Sequence, residues 1–267
     1  MKSFLAKLNI LLILLFYVKT TAAATKQSEP ILSGVRASPG EYPWHVLIKK
    51  ESGGSLLGGG SVISNTWVLT AAHCLKNKQT VFMQFGTVEF DSNALGMTST
   101  RLIIHPQFNP RSYVNDVGLV ELPTPLTYNT FIQPIALVTS SEAANTNFTG
   151  VVTFLSGYGY YDDKVRKLSP WLLWGSEKVV YNSVCAETLG PMEDSQMCTV
   201  GYTIDKQNPC KGDSGGPLVW RNPSRKLKQI AVFSFGRLRN CLDYPAGYVR
   251  VASFLDYIRN VTGVTPE

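Results

Sequence analysis

An all-β fold, a barrel or a sandwich, is what the sequence of 267 residues predicts, on three observations. Short runs rich in β-branched and aromatic residues recur along the chain. Glycine, proline, asparagine and serine separate them at fairly even spacing. Helical periodicity is scarce. Many short, evenly spaced strands favour a barrel or a sandwich over a helix-covered parallel sheet.

In chain order the runs are Trp44–Ile48, Gly60–Ile63, Trp67–Thr70, Thr80–Phe85, Arg101–Ile104 and Gly118–Leu122, then Val151–Ser156, Glu177–Tyr181, Pro217–Trp220, Gln229–Phe235 and Gly247–Val251. The glycine-rich stretch Gly53–Gly60 lacks the Lys-Ser/Thr pair and following helix of a phosphate loop, so it reads as a flexible hairpin. A crossover is expected at Pro134–Thr146, where Ser140, Ser141, Ala143, Ala144, Asn145 and Thr146 read as a linker. Near the end, Phe254, Leu255 and Ile258 share one helical stripe, which predicts a short closing helix over Ala252–Val261.

The first 24 residues read as a signal peptide. Lys2 and Lys7 precede an apolar run, Leu8–Val18, and Ala22, Ala23 and Ala24 offer small residues for cleavage. The run is shorter than the ~20 apolar residues a membrane span needs. A secreted protein, with no membrane association, is expected in an oxidising compartment. Lys2, Lys7, Lys19, Lys26 and Glu29 all precede Ile31, so the formal charge of +6 falls to +3 over residues 31–267, with 21 basic and 18 acidic residues. That balance carries no nucleic-acid footprint. The five cysteines, Cys74, Cys185, Cys198, Cys210 and Cys241, include no C-x-x-C pair, which argues against zinc.

Three stretches carry chemistry. Asn208–Val219 sets Ser214 among Gly212, Gly215 and Gly216, directly after Asp213; Val68–Cys74 ends an apolar run on His73; Asn115–Leu122 places Asp116 at the head of a strand-like run. Alone, the first is an ordinary turn. Together they supply a hydroxyl, a base to activate it and a carboxylate to fix that base's tautomer. Thr70–Cys74, Asp116–Val120 and Gly212–Pro217 match the motifs of the chymotrypsin-like serine proteases, and on them the chain resembles that family. The resemblance implies two six-stranded antiparallel β-barrels, over 31–139 and 140–267, forming one peptidase domain. It implies Ser214 as nucleophile, His73 as general base then acid, and Asp116 as its orienter, with the N–H groups of Gly212 and Ser214 as oxyanion hole. A β-carbon at 212 is expected to intrude on the oxyanion. No metal or organic cofactor is called for.

The same resemblance implies disulfides Cys185–Cys198 and Cys210–Cys241. It leaves Cys74 over, because Gly58 stands where the family places its partner. Loss of that bridge is expected to loosen the loop behind His73. The thiol reads as buried and inert, or as an intermolecular or redox-sensitive site. In the primary pocket, Asn208 is expected at the floor, Ser234, Phe235 and Gly236 along one wall, and Pro245, Ala246 and Gly247 along the other. A neutral Asn208 gives Lys or Arg no charge partner, and Ala246 narrows the space. Cleavage after Phe, Tyr, Leu or Met follows, with some elastase-like character, unless Asp243 folds inward.

Activation in this family frees an N-terminal Ile or Val to pair with the aspartate before the serine, here Ile31 with Asp213. Residues 25–30 would be a short propeptide. Pro30 precedes Ile31, so a trypsin-like activator does not suit; the three dipeptides Thr-Lys, Gln-Ser and Glu-Pro fit stepwise trimming instead.

His45 and His105 read as structural or surface residues. Arg221, Arg225, Lys226 and Lys228 read as a solvated hairpin tip, or an anion-binding or nicking site. Asn147 and Asn260 head glycosylation sequons. The leading expectation is a secreted, monomeric serine endopeptidase acting on proteins or peptides and open to protein inhibitors. The alternatives are a catalytically silent binding or regulatory relative and an esterase.

Overall fold

A computed structural model of the chain describes residues 34–162, 166–203, 207–237 and 239–266. The expected signal peptide, the propeptide and Ile31 lie outside them. Seventeen strands are present among these residues. They are β1 (Val35–Arg36), β2 (His45–Lys49), β3 (Leu56–Val62), β4 (Trp67–Thr70), β5 (Val81–Phe85), β6 (Gly96–Ser99), β7 (Leu102–Ile104), β8 (Gly118–Glu121) and β9 (Ala136–Leu137), followed by β10 (Val152–Gly157), β11 (Tyr160–Asp162), β12 (Lys167–Leu168), β13 (Leu173–Val180), β14 (Gln196–Gly201), β15 (Pro217–Arg221), β16 (Leu227–Gly236) and β17 (Ala246–Arg250). The helices are α1 (Ala72–Leu75), α2 (Ser140–Asn145), α3 (Asn182–Leu189) and α4 (Leu255–Thr262).

The first half forms one seven-stranded antiparallel sheet in the order β6-β5-β2-β3-β4-β8-β7. Its terminal strands, β6 and β7, are separated only by Thr100 and Arg101, so one bent run, Gly96–Ile104, joins the two ends of the sheet. Its interior holds Val46, Ile48, Val62, Val68, Val81, Met83, Phe85 and Val120, each at most 1 % exposed. Apolar surface of this kind is worth roughly 25 cal/mol per Å² removed from water. In the second half, β13, β10, β15, β16, β17 and β14 pair in succession, and β13 pairs β14, so this six-stranded sheet closes on itself. Closure leaves few strand edges for other chains to pair with. Its core includes Leu218, Ile230, Ala231, Val232, Tyr248 and Val249.

Two local expectations are corrected. The region read as a linker contains α2, a helix closed by a capping box. Thr139 Oγ1 accepts from the Glu142 N–H, and the Glu142 carboxylate accepts from the Thr139 N–H. Such a box satisfies two otherwise orphaned donors, which lets even a short helix form. Lys228 is buried rather than at a solvated tip, with its ammonium 3.9 Å from Glu142. The closing helix is present as α4, preceded by a 3₁₀ turn at Val251–Phe254. His105 packs its ring 4.5 Å from Tyr257 and 5.4 Å from Phe254, tying the closing helix to the first half.

Candidate active site

Three elements converge on one cleft. Strand β4 delivers His73 on the single turn of α1. Asp116 sits just before β8, where Asn115 takes a left-handed conformation with φ 56° and turns the chain. Strand β8 pairs with β4, which fixes the distance between their ends. The Asp116 carboxylate is fully buried. Its Oδ1 accepts the His73 backbone N–H at 2.8 Å, and its Oδ2 lies 2.7 Å from His73 Nδ1 and accepts the Ser234 hydroxyl at 2.5 Å. Ser234 comes from β16 of the other half. This third donor was not legible from the sequence, which places Ser234 on a pocket wall.

Burial alone would lower the His73 pKa. The Cys74 sulfur and the Asp116 carboxylate outweigh it and hold the imidazole above its ordinary value. Tyr113 stands edge-on to the His73 ring at 5.5 Å and stacks on Phe235 at 5.7 Å. Nothing in the local sequence marks it.

Ser214 lies on the turn before β15. The turn is held at several points: Gly215 N–H donates to Phe233 O, Gly216 N–H to Asp213 O, and Ser214 O accepts from Gly59 N–H at 2.8 Å. Gly215, at φ 82°, has no room for a side chain, since a β-carbon there would stand 2.2 Å from Thr70 Oγ1 and 2.4 Å from Gly59 O. Gly212 has φ 105°, and a β-carbon there would meet Gly159 Cα at 2.9 Å. A β-carbon at 212 would thus already meet that neighbouring backbone and the Leu168 and Leu56 side chains. Among the described residues, neither the Gly212 nor the Ser214 N–H donates to a protein acceptor. No hydrogen bond joins Ser214 Oγ to His73 Nε2 there either; such contacts commonly tighten only when substrate binds. Both residues line one cavity of about 260 Å³.

Cys74 is a buried free thiol. Its Sγ donates to Ser214 O at 3.5 Å and lies 3.6 Å from His73 Nε2. In place of a bridge to residue 58, the Gly59 N–H and this thiol both reach the Ser214 carbonyl. The bridges Cys185–Cys198 and Cys210–Cys241 are both present.

Asp213 is buried, and its carboxylate accepts the N–H groups of Gly159 at 2.7 Å and Cys210 at 2.9 Å. Burial raises its pKa to about 6 against the pull of those donors. The proposed wall residues divide. Ser234, Phe235 and Gly236 line the cavity, whereas Asn208 and Ala246 are buried outside its wall. Asn208 Nδ2 donates to Cys241 O at 2.8 Å and Tyr244 O at 2.6 Å. Asp243 is exposed rather than folded inward.

The sequence profile of the trypsin family, described as Trypsin, matches residues 31–258. The chain belongs to the trypsin family. It is similar to a collagenase from Hypoderma lineatum, 35% identical over 240 residues covering 88% of each chain. It is also similar to human kallikrein-7, at 29% identity over 97% of each chain. The clotting factor G beta subunit of Tachypleus tridentatus is 28% identical, over 87% of this chain and 79% of its own. As a member of the trypsin family the protein is a serine endopeptidase, a hydrolase whose substrates are proteins or peptides.

One buried acid has a testable signature. Glu177 of β13 is fully buried, accepts from Thr199 Oγ1 at 2.9 Å and bonds the hydroxyl of the buried Tyr248. Burial raises its pKa to about 8, against an ordinary 4.5. The folded state thus keeps a proton that the unfolded state has lost. The associated stability is full below pH ~4.5 and declines as pH rises through about 8. Glu177→Gln removes that titration, so thermal unfolding midpoints from pH 5 to 8.5 should fall less steeply in the variant than in the wild type. Parallel curves would exclude this role for Glu177. The Asp213 charge also helps to raise the Glu177 pKa, so the difference between the two proteins reports Glu177 together with that coupling.

Proposed function

We propose that the protein is a secreted serine endopeptidase that hydrolyses peptide bonds through an acyl-enzyme and prefers an apolar residue before the scissile bond. The observation that carries this reading is the network of Asp116 with His73 and Ser234, on the same cavity as Ser214, where among the described residues the Gly212 and Ser214 N–H groups donate to no protein acceptor. Ser214 Oγ attacks the substrate carbonyl while His73 Nε2 takes its proton. The developing oxyanion accepts from the Gly212 and Ser214 N–H groups, each such donor being worth about 3–4 kcal/mol in the barrier. His73, now protonated and held by Asp116, gives its proton to the departing amine. Water then repeats the sequence on the ester. The buried, neutral amide of Asn208 offers no counter-charge to an Arg or Lys side chain.

Activation completes the reading. An ammonium freed at Ile31 would supply Asp213 with the counter-charge that two backbone donors do not, and would hold the turn around Gly212. Asn147 and Asn260 are exposed, as glycan attachment requires. The decisive test uses purified secreted protein, N-terminal sequencing, and labelling by a fluorophosphonate. Covalent labelling at Ser214, with cleavage of apolar-P1 peptides over Arg-P1 peptides, is expected. Unlabelled protein carrying Ile31 at its N-terminus would instead establish a silent relative. Strong Arg preference would overturn the specificity.

A further inference from the structure

The primary pocket ends sooner than Asn208. Phe233, one residue before Ser234 on β16, lines the same cavity as His73 and Ser214. The tip of its ring lies 3.7–3.8 Å from the point where a β-carbon on Gly236 would stand. The ring therefore occupies the space beneath the open wall that Gly236 provides. Asn208 is sealed off, 2 % exposed, and does not reach the cavity.

The ring has nowhere to retreat. On its inner side it packs on Tyr248 at 5.3 Å between centroids, and Tyr248 is itself fully buried. The Tyr248 hydroxyl is tied to the carboxyl of Glu177, which is buried and also bound by Thr199. The Phe233 backbone is pinned as well. Its N–H donates to Gly216 O at 2.9 Å, and its carbonyl accepts from the Gly215 N–H at 2.8 Å. Interiors this well packed do not open a ring-sized space without displacing neighbours. A Phe or Tyr side chain entering from substrate would need the volume that the Phe233 ring already holds.

We infer that Phe233 sets the depth of the primary pocket, so that the enzyme cleaves after small apolar residues of Ala or Val size rather than after aromatic ones. This rests on the reading of Ser214 as nucleophile and narrows the apolar preference proposed above. Pocket size alone discriminates between apolar side chains by about 10–200-fold per methylene-sized mismatch.

The test is a panel of peptides differing only at the residue before the cut, with active enzyme counted by fluorophosphonate labelling. Wild type should show kcat/KM at least about tenfold higher for Ala or Val than for Phe or Tyr. Phe233→Val, which removes the ring and keeps an apolar β-branched strand residue, should move that ratio toward Phe by about 100-fold. Phe233→Leu should fall between. Labelled wild type that fails to favour Ala or Val over Phe overturns the inference and leaves the hydrolase standing, and this arm needs no variant to fold. Protein with Ile31 at its N-terminus that takes no label removes the nucleophile reading, and the inference with it.

Discussion

Ser214→Ala should lower kcat/KM by about 10⁶-fold while leaving the thermal unfolding midpoint nearly unchanged. Groups that act as one catalytic unit are strongly non-additive, so loss of the nucleophile forfeits most of what His73 and Asp116 contribute. The turn does not depend on the hydroxyl. It is held by backbone bonds from Gly215, Gly216 and Gly59, none of which involves Ser214 Oγ. The measurement is single-turnover cleavage at enzyme concentrations high enough to detect the residual rate, with thermal unfolding alongside. A residual within tenfold of wild type would remove Ser214 from the chemistry.

Asp116→Asn should cost about 10⁴-fold in kcat/KM near neutral pH with little change in fold. The reason is tautomeric. Asp116 presents three donors with two acceptor oxygens: the His73 N–H, His73 Nδ1–H and the Ser234 hydroxyl. An amide keeps the volume but turns one of those oxygens into an NH₂ group. With its oxygen on the His73 N–H, its NH₂ faces Nδ1, which must then accept. The proton moves to Nε2, the atom that has to receive the Ser214 proton. The opposite flip sets two N–H donors against each other. A pH profile of kcat/KM separates this from mere displacement, because a tautomeric block persists above the His73 pKa. Recovery to within tenfold of wild type in the neutral range would refute it.

Much of the site was legible in the sequence because its motifs are local. His73 follows an apolar strand, Asp116 heads another, and Ser214 sits among glycines, two of which, Gly212 and Gly215, take positive φ values that glycine adopts without strain. The strand runs were legible for a similar reason, as alternation and turn residues are read within a few positions. Trp67–Thr70 matches its strand end for end. What was missed is non-local. Gln196–Gly201 contains polar residues whose burial is fixed by pairing with β13 and β17, not by their own pattern. Ser234 looks like any serine in a strand until the second sheet brings it against Asp116. Phe233 lies in one more apolar strand run, and only its ring tip's approach to Gly236, three residues on along β16, shows where that ring ends. Thr139 and Glu142 are the exception, since the capping-box spacing was present and serine-rich composition obscured it.

Both cystine links fall between Cys185 and Cys241, and the remaining thiol is single. The half that carries His73 and Asp116 is therefore free of covalent ties, while the half that shapes the substrate cleft is stitched twice. A reductant would act on the cleft loops alone. The sheet that carries His73 and Asp116 would keep its architecture, whereas Ser214 and Ser234 both lie within the segment that the Cys210–Cys241 link closes, so activity should be lost along a redox titration before the first half unfolds.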